Sequence, residues 1–91
     1  MVTALIFTAS WCTACKQQRS TFKHLEEYCS VEYIDIDTDH GKAVADEYHV
    51  MSVPTVIVGQ ATFDEGFKPH DYFFGTQRLD AYKKSIKELM K

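Results

Sequence analysis

A nearly unbroken apolar run over residues 2–7 is one strand long and shows no alternation, which predicts a strand covered on both faces. The period then changes. Over residues 15–29, Phe22, Leu25 and Cys29 recur at helical steps among Lys16, Gln17, Gln18, Arg19, Lys23, Glu26 and Glu27, which predicts an amphipathic helix with Cys29 on its apolar stripe. Residues 31–36 alternate and are β-branched, a second strand ended by Asp37-Thr38-Asp39-His40-Gly41. A short helix over 42–48 follows, with Val44 and Tyr48 four apart and one of the preceding polar residues as its cap.

Residues 55–58 read as a third strand opened by Pro54, because proline cannot donate to a ladder and sits comfortably at a strand's start. A turn at Asp64-Glu65-Gly66 predicts a hairpin with its return arm over 67–74, and Pro69 predicts that this arm is a sheet edge. Phe63, Phe67, Phe73 and Phe74 read as hairpin core. Thr76 reads as the cap of a last helix whose Leu79, Tyr82, Ile86 and Leu89 form the buried stripe. The order β-α-β-α-β-β-α predicts an α/β fold, a four-stranded mixed sheet with helices on both faces and a parallel βαβ unit at its start. Residues 1–91 are expected to form a single domain, since a chain this short buries one core and leaves no room for a second.

Charge and composition narrow the function. The net charge is −3, and Lys and Arg are scattered, so no phosphate-binding face and no nucleic-acid partner are expected. No stretch approaches the about 20 apolar residues of a membrane span, and the first strand has no basic flank of the leader type. A cytoplasmic monomer is expected. Three cysteines do not make a disulfide framework, which leaves a redox or a metal role for them.

That role centres on Trp11-Cys12-Thr13-Ala14-Cys15, where two cysteines three apart fall at a helix start. Such residues have Cβ atoms about 5–6 Å apart, and small adjustments bring the sulfurs within bonding range. Unpartnered N–H groups of the first turn stabilise a thiolate there, most at Cys12. Cys12 is therefore expected to be the exposed nucleophile and Cys15 the resolving thiol.

Lowering a thiol pKa from about 8.5 to about 7 raises its thiolate fraction at pH 7 about fifteenfold. Lost intrinsic nucleophilicity takes back about fivefold. Proximity is the larger effect, because a well-oriented neighbour acts at an effective molarity on the order of 10⁵ M. The competing readings are a half metal site, which lacks a second matching pair, and a noncatalytic binding module. His24, His40, His49 and His70 are scattered without ligand spacing, so no metal site is expected.

The segment 10–16 resembles the active-site motif of the thioredoxin family, with Trp11 and Lys16 in the matching places. Ile34-Asp35-Ile36-Asp37, then Ala45, Tyr48 and Val50, then Ser52-Val53-Pro54-Thr55 and Gly75 resemble further family positions at matching spacing. The resemblance implies a thioredoxin-like fold and a thiol-disulfide oxidoreductase that reduces protein disulfides through Cys12 and Cys15 without a bound cofactor. It implies a cis Val53–Pro54 bond beside Cys12, with Trp11, Ala14, Val53, Pro54 and the flanking Met51 receiving an extended substrate. The implied partners are disulfide-containing client proteins such as ribonucleotide reductase, and a thioredoxin reductase-like flavoenzyme as electron donor.

Three departures from the family pattern stand out. Thr13-Ala14 replaces the usual Gly-Pro, and Ile6 falls where the family buries an aspartate beneath the resolving sulfur, so deprotonation of Cys15 must use water, another side chain or Cys12. The chain is expected to lack the extra N-terminal strand and helix of full-length thioredoxins, a size that suits glutaredoxins. A glutathione-linked glutaredoxin-type enzyme is therefore the alternative, although neither a Cys-Pro-Tyr-Cys motif nor a glutathione-binding glycine pair is present.

Overall fold

The computed structural model describes residues 1–90; Lys91, the last residue of the expected domain, lies outside the described residues. Eight elements follow in the order β1 (Val2–Thr8), α1 (Thr13–Gln17), α2 (Arg19–Leu25), β2 (Ser30–Asp35), α3 (Asp39–Glu47), β3 (Thr55–Thr62), β4 (Gly66–Phe74) and α4 (Leu79–Leu89). The sheet order is β2-β1-β3-β4, with β1 parallel to β2 and antiparallel to β3, and β3 antiparallel to β4. This is the four-stranded mixed sheet that the pattern predicts.

The unbroken apolar run of β1 is explained by its two covered faces. Ala4 and Ile6 point toward Phe22 and Leu25 of α2 and Tyr82 and Ile86 of α4. Leu5 and Phe7 point the other way, toward Ile34 of β2, Ile57 of β3 and Ala45 of α3. Each fully buried side chain of this size contributes about 1.5–3 kcal/mol, so the central pair β1 and β3 holds both layers.

Several expected elements shift. The single helix expected over 15–29 is two helices parted at Gln18, whose side chain is drawn toward α4 and the loop before it. Its amide accepts from the Tyr82 hydroxyl at 3.1 Å and donates to the Gln77 carbonyl at 3.0 Å. The second helix ends at Leu25, so Cys29 lies in the turn before β2, half-buried, with its thiol directed at the Leu25 carbonyl.

Thr76 does not cap the last helix. The cap is Arg78, without a side-chain bond, because Gln77 ties the preceding loop to Gln18 and to Phe74. Phe63 and Phe74 are exposed rather than core, since they sit at the hairpin tip and on the outer face of the edge strand. Phe67 and Phe73 do pack inward.

The hairpin is longer than the third strand's apolar run, because residues 59–62 pair with residues 66–69 after that run ends. As Pro69 predicts, β4 is an edge. Its register slips between Val58 and Gly59, which pair with Asp71 and Pro69, so His70 is the extra residue of a bulge.

Candidate active site

β1 delivers the chain from the C-terminal end of a central strand to the cysteine pair, where α1 begins. Cys12 is the residue before the first helical turn, in extended conformation, and its Sγ accepts the Cys15 backbone N–H at 3.0 Å. That bond is the local form of the stabilisation expected for Cys12. With α1 only five residues long, one directed N–H matters more than any summed helix dipole.

Cys12 and Cys15 are joined in a disulfide, with Cα atoms 5.3 Å apart. The expectation of an exposed Cys12 is corrected here: Cys12 and Cys15 are 5% and 6% exposed, because they form one apolar cluster with Ala9, against which Ala14, Ile36 and Val53 pack. Cys15 also borders a cleft of about 430 Å³ lined by Lys16, Arg19, Tyr33 and Asp35. Ile6, in the place of the family's buried acid, is fully buried among Phe22, Val56 and Tyr82.

The proline loop approaches from the other side. Val53–Pro54 is cis. The Pro54 carbonyl accepts the Gly75 N–H at 2.9 Å, and the Thr55 hydroxyl donates to the Ser52 carbonyl at 2.8 Å. Between these anchors, the backbone N–H and C=O of Val53 make no hydrogen bond among the described residues. Free strand-like groups beside the disulfide are what an incoming extended chain needs for β-type pairing.

Trp11, next to Cys12 in the chain, is 64% exposed, and Met51, 93% exposed, lines a cleft with Ile36 and Asp37. Trp11 is nonetheless fixed, because its indole N–H donates to Asp37 Oδ1 at 3.1 Å. Asp37 is held in turn by its own N–H, which donates to Asp35 Oδ1 at 2.9 Å. The structure thus brings together Trp11, Cys12, Ala14, Cys15, Val53 and Pro54, and adds Ile36 and Asp37. Asp37 lay within the second-strand motif quoted from the sequence, but its bond to a residue 26 positions away has no sequence period to announce it.

A disulfide at a helix start, faced by a cis-proline loop at the end of a four-stranded mixed sheet, defines the class of thioredoxin-fold proteins. The thioredoxin family model matches residues 2–88. The thioredoxin of Sus scrofa is 38% identical over 50 residues, covering 54% of this chain and 48% of that protein. The thioredoxin of Bacillus subtilis is 32% identical over 71 residues, covering 71% of this chain and 68% of that protein. Among solved structures, a mutant thioredoxin from Halobacterium salinarum superposes with a TM-score of 0.82 at 29% identity, covering 99% of this chain and 75% of that chain. The chain belongs to the thioredoxin family. It spans about half the length, or less, of several curated relatives that it matches.

Proposed function

We propose that this protein is a thiol-disulfide oxidoreductase that reduces disulfides in client proteins. The observation that carries the reading is the Cys12–Cys15 disulfide, with Cys12 Sγ accepting an N–H bond beside an unpaired Val53 backbone. In the reduced protein the Cys12 thiolate attacks one sulfur of a client disulfide. The client's other sulfur leaves as a thiolate, and Cys12 is left in a mixed disulfide.

The Cys15 thiolate then attacks Cys12 Sγ, closing the disulfide seen here and releasing the client's second thiolate. Two electrons pass to the client, whose thiolates take up protons from solvent. Trp11, Ala14, Val53 and Pro54 serve as the substrate-binding surface, with Val53 pairing to the client backbone. A flavoenzyme of the thioredoxin reductase type returns the electrons, and a reducing compartment such as the cytoplasm suits a protein with a third, unpaired cysteine.

Redox titration of the Cys12–Cys15 couple tests this. A potential near thioredoxin's about −270 mV supports a reductant, and one near about −120 mV identifies an oxidant. Rapid recharging by glutathione alone, with none by NADPH and a thioredoxin reductase, would place the protein with the glutathione-linked enzymes instead.

A further inference from the structure

Remote from the disulfide, the bulge in β4 changes where side chains point. Consecutive residues of a regular strand face opposite sides of the sheet, but a bulged residue is re-aimed. His70 is that residue, and here it and its neighbour Asp71 both turn toward Glu88 in the last turns of α4. His70 Nε2 lies 3.1 Å from Glu88 Oε1 and 3.7 Å from Asp71 Oδ2. All three side chains offer a ligand atom within 4.8 Å of the others.

We propose that His70, Asp71 and Glu88 bind a divalent cation of zinc's class. Ligand bonds of about 2.1 Å at tetrahedral angles put donor atoms about 3.4 Å apart. The two His70 distances bracket that value, and modest rotation of two partly exposed carboxylates brings in the third pair. One imidazole nitrogen with two carboxylates suits zinc and its neighbours in the transition series, whereas calcium and magnesium favour oxygen alone. Two carboxylates also match the charge of the ion.

A second observation points to the same place. The Ser85 hydroxyl is buried and has no hydrogen-bond partner, the only such side-chain atom among the described residues. Ser85 lines a groove of about 300 Å³ with Asp71 and Glu88. Buried polar groups are rarely left unmatched. Rotation of the Ser85 side chain toward the groove would let a water in the ion's fourth position become the partner of this hydroxyl, and such outer partners typically change metal affinity 10–100-fold. Uptake uses the His70 tautomer with its proton on Nδ1, which leaves the Nε2 lone pair for the ion. The ion would then tie the edge strand β4 to α4.

The test uses chelator-treated protein with the Cys12–Cys15 disulfide closed and Cys29→Ser introduced, so that no thiolate competes. Zinc is titrated calorimetrically and cobalt by its visible absorption. The expected result is one saturable equivalent, a higher melting temperature with zinc, and no competition from magnesium or calcium. His70→Ala and Glu88→Gln should each weaken binding at least about tenfold, and Ser85→Ala should weaken it about tenfold. His70→Gln, with far-UV circular dichroism on every variant, separates lost binding from lost folding. No saturable binding at millimolar zinc, or binding unchanged in His70→Ala and His70→Gln, overturns the proposal.

Discussion

Replacing Gln18 by Ala should unfasten the cysteine-bearing helices from α4. The Gln18 amide is buried, accepts from Tyr82 Oη at 3.1 Å and from the Gln77 N–H at 3.3 Å, and donates to the Gln77 carbonyl at 3.0 Å. The Gln77 groups are half-buried, so water can replace the lost partner there. Tyr82 is fully buried, and its hydroxyl would be stranded at about 1–3 kcal/mol. Loss of packed methylene adds about 0.8 kcal/mol. The sum is about 2–4 kcal/mol, or a fall in Tm of at least about 8 °C for a domain of this length.

Urea unfolding followed by far-UV circular dichroism measures the loss, and a double-mutant cycle with Tyr82→Phe isolates the coupling. With Gln18 present, Tyr82→Phe removes a satisfied hydrogen bond and costs about 1 kcal/mol. With Ala at 18, the same change removes an unsatisfied hydroxyl and should cost nothing or stabilise. Coupling should therefore reach about 1 kcal/mol or more. Additivity within about 0.5 kcal/mol would refute the claim that this amide fastens the cysteine-bearing helices to α4.

Other outcomes follow from the same geometry. Cys15→Ser should trap client proteins on Cys12, because an external thiol at millimolar concentration replaces a neighbour acting at about 10⁵ M; mass spectrometry showing no persistent adduct would count against Cys15 as resolver. Gly41→Ala should destabilise by about 3 kcal/mol or more, since its Cβ would fall 1.7 Å from the Asp35 carbonyl oxygen; thermal melts that match the parent would contradict the close approach of α3 to β2. Burial pushes the Tyr82 phenol up to about 12, so the folded state keeps a proton that the unfolded state releases from its ordinary 10.0. Stability should therefore be full below pH 10 and fall as pH rises toward 12, and Tyr82→Phe should flatten part of that fall; superimposable urea midpoints for parent and variant across this range would exclude the buried phenol as a cause.

The order of elements and the chemistry of the site were legible in the chain itself. An apolar run without alternation required two covered faces, Pro69 required an edge, and two cysteines at a helix start supplied the redox pair. These features are local in sequence, and their physical causes act within a few residues: side-chain period, a missing N–H, the unpartnered donors of a first turn. What only the tertiary structure decided involves residues far apart. The Gln18 side chain reaches from the junction of α1 and α2 to Tyr82 and Gln77, Trp11 is fixed by Asp37, Cys12 is buried with Ile36 and Val53, and a one-residue bulge turns His70 toward Glu88. Each depends on which surfaces meet once the sheet and its helices have packed, and packing couples positions that share no period along the chain.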